Sequence, residues 1–451
     1  MTLANRNSQP LTRQFVMFLQ QQYHAVEHHN VDLWVAQTLC DFLIGALGGA
    51  TNLQSGPGHL RRWCPGAVTV IGLRRTASLD QASDWNAIVG HVLDRDDLHQ
   101  ASFTHPGSVI WPTVLSLGEE LDATGAEVVR AAVIGYEAMV RLALALGPEH
   151  RRLHHVTSTA GVVGATVAAA ILYGLGDEEI VSAMGHATSV SGGLTQHFIE
   201  HSGTGSFHRA NAVRVALMAS EWAQLGLLGD QFSFEGERGL FSSMTSMPHL
   251  VHVFQESNRW ALEEVSMRKY ATNGFAQAAV EAALEIGSIT LEEVVEIQIA
   301  APLSVVANAS GHHPPQSVEQ AWWSMPYAVA VCLVSGNAES LMNPQLVHDP
   351  KVHRAMRIID VVLSEPSTST GFDTTVRVCF RNGSVMTATC IEPRGHPHNP
   401  FRPTDWIEKA KSVHSGLDGA TALELLTLCQ GLSQHTIRQF MQKVRQLSAE
   451  V

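Results

Sequence analysis

The sequence predicts a mainly α protein, a large all-helical domain joined to a smaller α+β domain. Three observations carry this. Apolar residues recur at helical spacing from residue 11 to residue 227; polar–apolar alternation starts only near residue 290; and helical spacing returns after Pro393-Arg394-Gly395-His396-Pro397. We place the all-helical domain at residues 1–270, completed by 401–451, and the α+β domain at 271–400.

Element by element, residues 11–24 and 32–49 carry helical apolar stripes, with Asp32 as a cap and Gly48-Gly49 as a stop. The same period predicts helices over 84–97, 112–123, 127–146, 158–173, 177–186 and 210–227. Residues 295–300 (VEIQIA) alternate as a half-buried strand does, and 317–336 return to a helical period. Strands follow at 357–363, 375–380 and 384–391, the last two joined through Arg381-Asn382-Gly383, where Asn-Gly offers the positive φ values of a tight hairpin. Helices over 406–413 and 423–447 close the chain.

Composition limits what such a protein binds. Hydrophobic residues make up 45% of the 451 residues and charged ones 16%, enough apolar surface to build a large core. A formal net charge of -13 argues against nucleic acid as a partner, because phosphate binding requires a positive surface. The six cysteines form no C-x-x-C pair and no metal-ligand spacing, so they read as small hydrophobic fillers in a reducing, cytoplasmic compartment. The polar opening residues predict no secretory leader. The most membrane-like stretch, residues 157–176, is rich in Ala and Gly and broken by hydroxyls, which predicts a closely packed buried helix and no membrane partner.

Twenty-four histidines against five tyrosines direct attention to polar clusters. The densest runs from His91 through Asp94, Asp96, Asp97 and His99 to Thr104-His105-Pro106-Gly107. On a helix, Asp94 would share a face with His91, Asp97 and Leu98, and a carboxylate beside an imidazole prepares a general base. A solvated helix end with scattered charge would show the same residues. The second cluster, His154-His155-Val156-Thr157-Ser158-Thr159, opens the Ala/Gly-rich helix, with Thr157 or Ser158 as N-cap and free N–H groups suited to a carboxylate. An ordinary cap with surface histidines fits it too. The third, His197-Phe198-Ile199-Glu200-His201, matches the H-x-x-E-H pattern of one zinc-protease class, but Ser202-Gly203-Thr204-Gly205 interrupts the helix at once, so we expect no metal there. Neither a P-loop, a G-x-G-x-x-G nor a G-x-S-x-G is present.

Five segments in order resemble one family. Gly90 to Asp97 followed by Thr104-His105-Pro106-Gly107, Gly135-Tyr136-Glu137, His155 to Ala165, Ser324 to Ala330, and Gly395 to Pro400 are together similar to the conserved blocks of the MmgE/PrpD family. Its members include 2-methylcitrate dehydratase, cis-aconitate decarboxylase and iminodisuccinate epimerase. The resemblance implies a helical domain with a smaller α+β lid and a homodimer. It also implies a site that handles a small carboxylic acid without metal or organic cofactor. By the same resemblance Asp94, His105 and His155 stand at active-site positions, with Tyr327 from the smaller domain. Thr157, His208, Arg209, Arg268 and Lys269 stand where substrate is held. The expected reaction is dehydration of a hydroxy-(poly)carboxylic acid of the 2-methylcitrate type, with an epimerase, isomerase or decarboxylase, or a non-catalytic carboxylate binder, as alternatives. The sequence departs from the pattern at Gly205 (a lysine in relatives), Leu98 (a threonine), Asn273 (a cysteine or histidine) and Gln277 (often a histidine), which points to a substrate with fewer or differently placed carboxylates.

Overall fold

A computed structural model describes residues 9–26, 30–54, 62–200, 202–255, 257–309, 311, 314–365, 371–414 and 416–448. It is mainly helical, with a small mixed sheet. Two compact units are formed, one from Met1–Val265 with Gly416–Val451, the other from Ser266–Ser415.

The first unit holds α1 (Leu11–Val26), α2 (Asp32–Gln54), a short hairpin of β1 (Val68–Val70) and β2 (Arg75–Ala77), α3 (Leu79–Val89), α4 (Gly107–Leu121), α5 (Gly125–Arg151), α6 (Val156–Leu172), α7 (Asp177–Ser189), α8 (Gln196–Glu200), α9 (Thr204–Gln224) and α10 (Leu240–Met244). At its centre lies α6, which packs on α4, α5, α7 and α9 and is buried from Val156 to Ala170. Its glycines allow this: a Cβ at Gly164 would lie 2.6 Å from Met139 Cβ and 2.7 Å from the Gly135 carbonyl. The helix predicted over 158–173 is therefore an interior one. Among the described helices, the one long and apolar enough to cross a membrane is instead Asp32–Leu53, and 89% of its apolar window is buried.

Several boundaries differ from expectation for local reasons. The stripe expected over 84–97 ends at Val89, where Gly90 caps α3, and the chain continues as turns with Asp94 at φ 50°. Helix α4 begins at Gly107 and carries Pro112 inside it, beyond the first turn, so the Ser108 carbonyl receives no i→i−4 N–H from that position. Helix α5 opens on a Thr124–Glu127 capping box and runs on to Arg151 across a kink at Gly147. The cap of α6 is His155, not Thr157 or Ser158.

In the second unit α11 (Gln277–Ile286), β3 (Val294–Ala301), α12 (Leu303–Ala309), α13 (Val318–Trp322), α14 (Met325–Ser335), α15 (Pro350–Arg357), β4 (Ile359–Leu363), β5 (Thr374–Phe380), β6 (Val385–Cys390) and α16 (Pro403–Val413) follow. The sheet order is β4-β3-β5-β6, parallel between β3 and β4 and antiparallel elsewhere. Helix α11 covers β5 and β6. The β5–β6 hairpin closes through Arg381-Asn382-Gly383, as expected, but with positive φ at Gly383 alone (83°) and not at Asn382, the bulged three-residue loop. The helix expected over 317–336 is broken in two, because Ser324 caps α14 by accepting from Tyr327 N.

The last segment divides. Helices α17 (Gly419–Gln430) and α18 (Ile437–Gln446) belong to the first unit, whereas α16 belongs to the second. The divisions thus fall at 265/266 and 415/416, where 270/271 and 400/401 were expected. Contacts with residues 271–400 accompany the shift: Met267 N donates to the Gly395 carbonyl and Tyr270 N to Gln277 Oε1, both at 2.9 Å, Arg394 Nε lies 3.6 Å from Asp405 Oδ2 on α16, and Lys269 Nζ, 2.7 Å from Asp405 Oδ1, joins the two displaced segments.

Candidate functional site

The turn between α3 and α4 is built around one buried carboxylate. Asp96 is 1% exposed, and His91 Nδ1 lies 2.9 Å from its Oδ1. Arg209 Nε, from α9, is 3.6 Å from Oδ2 and His105 Nδ1 3.8 Å. Burial alone would raise the Asp96 pKa; the fields of His91, His105 and Arg209 outweigh it and hold the carboxyl well below its ordinary range. Asp97 points the other way. It accepts from Gly107 N (2.9 Å) and Tyr136 Oη (2.9 Å), and burial, with Asp41 and Asp96 nearby, pushes it up to about 8. Two adjacent aspartates thus hold opposite charge states at neutral pH.

His105 is fixed by its backbone neighbours. Its Nδ1 lies 2.6 Å from the Asp97 carbonyl, which can only accept, so the proton is on Nδ1 and the lone pair on Nε2. Its N–H donates to Thr157 Oγ1 at 3.2 Å. Asp94 is half-buried in the same turn, and one oxygen each of Asp94 and Asp96 and one nitrogen of His91 lie within 4.8 Å of one another. The expected juxtaposition of Asp94 with His91 is therefore present, but a left-handed turn creates it and not a helical face.

His155, at the head of α6, is 3% exposed, with Nδ1 3.0 Å from His208 Nδ1. Burial, then the charge of Arg209 and the neighbouring imidazoles, depresses its pKa well below the ordinary value. His197, on α8, completes a triangle of rings with centroid separations of 4.7, 5.1 and 5.2 Å. Burial lowers His197 to about 4 and lowers His208 as well. Beside the latter two rings lies a pocket of ≈ 450 Å³, lined also by Ser158, Glu200 and Asn211.

The structure thus brings Asp94, His105, Thr157 and Arg209 to one buried cluster, and His155 and His208 to another. Arg209 is held inside the protein: it is 1% exposed and donates to Ser108 Oγ and to the Gly205 carbonyl, both at 2.8 Å. His91, Asp96 and His197 carry more of the geometry than their place in the sequence suggested. Among four charged residues from Asp94 to Asp97, only turn geometry shows which one is the hub. His201 lies outside the described residues, and Glu200 bonds Gln196 Nε2, not a histidine.

In the second unit, Tyr327 is 1% exposed, and its hydroxyl has no hydrogen-bond partner among the described residues; burial pushes its pKa up to about 12. Arg268 is buried. Burial would lower the Lys269 pKa, but Asp405 and Glu408 hold it raised. Asn273 and Gln277 serve the backbone: Asn273 accepts from Phe275 N, and Gln277 bonds both N–H and C=O of Tyr270.

Comparison with known families gives a direct result. A family model of the MmgE/PrpD N-terminal domain matches residues 37–251, and one of the MmgE/PrpD C-terminal domain matches residues 270–428. The two matches cover most of the chain, include the Asp94–Asp97 turn, His105, His155 and Tyr327, and show that this protein belongs to the MmgE/PrpD family, a group generally made up of lyase-type enzymes.

Proposed function

We propose that the chain is a lyase that removes a proton from carbon next to a carboxylate and dehydrates a small hydroxy-(poly)carboxylic acid of the 2-methylcitrate type. The single observation that carries this is His105, whose tautomer is fixed by the Asp97 carbonyl at 2.6 Å with the ionised Asp96 behind it at 3.8 Å. A C–H beside a carboxylate is a very weak acid, so it needs a base of set orientation and donors for the developing enolate charge. His105 Nε2 takes the proton. His155, held neutral, hydrogen-bonds the departing hydroxyl through Nε2–H, and the hydroxyl leaves as water with the proton that His105 took, so both imidazoles end as they began. Asp94 and Thr157 border the base, and Tyr327 is the hydroxyl assigned from the second unit. A soluble, cytoplasmic homodimer is the setting proposed with this activity.

Family membership supports a lyase in general; the substrate class rests on the resemblance and on the histidine geometry. The test follows a panel of citrate, methylcitrate, aconitate and related acids by alkene absorbance, and α-proton exchange in deuterated water by NMR. Alkene formation or loss, abolished in His105→Ala with the fold intact, is expected. Exchange without net reaction would identify an epimerase instead, and binding without either signal would overturn the enzymatic reading.

A further inference from the structure

We infer that His155, His197 and His208 form a binding site for one divalent transition-metal ion of the zinc or cobalt(II) type, with a coordination position open to the adjoining pocket. One nitrogen from each ring lies within 4.8 Å of the others, and the three come from the head of α6, from α8 and from the first turns of α9. Two nitrogens bound about 2.0–2.1 Å from a tetrahedral ion sit about 3.3 Å apart, and the Nδ1 atoms of His155 and His208 are already 3.0 Å apart. The ion takes the place of the single proton those two atoms share, leaving His155 Nε2–H untouched.

His197 has the arrangement of a metal ligand. Its Nδ1 lies 2.8 Å from the Leu194 carbonyl, which can only accept, so Nε2 carries the lone pair. Gly205 keeps that nitrogen clear. A Cβ at position 205 would stand 3.3 Å from His197 Nε2 and 3.2 Å from Cδ2, so any larger side chain begins where the ring's free edge lies. The nearby Arg209 guanidinium opposes a cation there, and the Asp96 carboxylate, 3.6 Å from its Nε, offsets part of that charge. Three histidines with a pocket beside them, lined by His197, His208, Ser158 and Glu200, leave the fourth position to water or a substrate oxygen.

A second group, Glu392, His396 and His398, is less suited. His398 Nδ1 is paired with Glu392 Oε1 at 2.7 Å on the surface, and His396 Nδ1 accepts from His398 N at 3.2 Å.

The experiment titrates the metal-free full chain with Co²⁺ and reads the visible absorption of four-coordinate cobalt, with Zn²⁺ as competitor. One equivalent should bind, Zn²⁺ should displace it, and Zn²⁺ should raise the melting temperature. His197→Gln and His208→Gln, checked for folding by circular dichroism, should each weaken binding at least tenfold, in line with the 10–100-fold that loss of even an outer-shell partner costs, while His398→Ala keeps the wild-type affinity. Absence of a four-coordinate band in the wild-type chain, or a band that follows His398 and not His197, overturns the assignment. The wild-type spectrum decides even where a variant misfolds. Because the readout needs no turnover, its failure and that of the lyase reading are separable.

Discussion

Replacing Asp96 by asparagine tests whether one carboxylate organises the turn. Asp96 is fully buried, and the guanidinium it faces, Arg209, is itself 1% exposed and 3.6 Å away. Asparagine keeps the shape but leaves that cation buried without its counter-charge, which costs about 3–5 kcal/mol when one partner of a buried pair is removed. The Asp96 pKa is depressed below its unfolded value, so its contribution is present above the unfolded pKa and lost only as pH falls through the folded one. The full penalty should therefore show at pH 7. Urea unfolding of the wild type, Asp96→Asn, Arg209→Met and the double variant gives the coupling. Each single change should cost several kcal/mol. The double should cost less than their sum by about 1–3 kcal/mol, because no uncompensated charge remains. Additive losses, or an Asp96→Asn loss under about 1 kcal/mol, would refute the ion-pair reasoning. His105 exchange activity should fall together with stability in Asp96→Asn, and remain low in the double variant, since the carboxylate behind the imidazole is still missing.

The other predictions are narrower. Asp97 has a folded pKa of about 8, above its unfolded value, so it stays protonated in the native state while the unfolded chain is ionised; stability should fall by about 2 kcal/mol between pH 6.5 and 8 from this group, and Asp97→Asn should flatten the slope in that window. His150 and His197 are lowered to about 4, so the unfolded chain binds the extra protons and stability should rise with pH between about 4 and 6.5; urea midpoints against pH for His150→Gln, which also loses its bond to Thr159, should show a shallower rise. Tyr327→Phe removes a buried hydroxyl that has no partner among the described residues, so unfolding free energy should not drop, whereas turnover should fall at least tenfold if the hydroxyl serves substrate. A drop in stability with unchanged kcat would give Tyr327 a structural role only. Gly164→Val should lower the melting temperature sharply, because even a Cβ there meets the Gly135 carbonyl at 2.7 Å.

Periodicity made the helical nature of the chain readable, because burial of one face repeats along α1, α2, α5 and α9 whatever lies opposite. It failed where geometry is set by a single residue. The apolar spacing through residues 84–97 continues past Val89, yet Gly90 ends α3 and Asp94 turns left-handed, and no periodic count registers a change of backbone sign. The consequence reaches the chemistry. A helix would have put Asp94 and Asp97 on the His91 side, whereas the turn gives His91 to Asp96 and sends Asp97 to Tyr136. The order of charges in the sequence was visible, but their assignment to ionised and protonated roles was not, since that depends on which carboxylate faces Arg209, a residue more than a hundred positions later. The three-histidine triangle escaped for a related reason. The sequence offers His197 beside Glu200 and His201 in one short motif, and short motifs draw the eye to neighbours in the chain. In space His197 meets His155 and His208, contributed by the head of α6 and by α9. If residue 205 bore a long side chain it would grow from beside His197 Nε2. The glycine that departs from the family pattern and the histidine that fills the adjoining space are thus two parts of one local arrangement. A variant with lysine at position 205 would measure that directly: if the two are coupled, Gly205→Lys should abolish cobalt binding without unfolding the chain, and retained binding would sever the link.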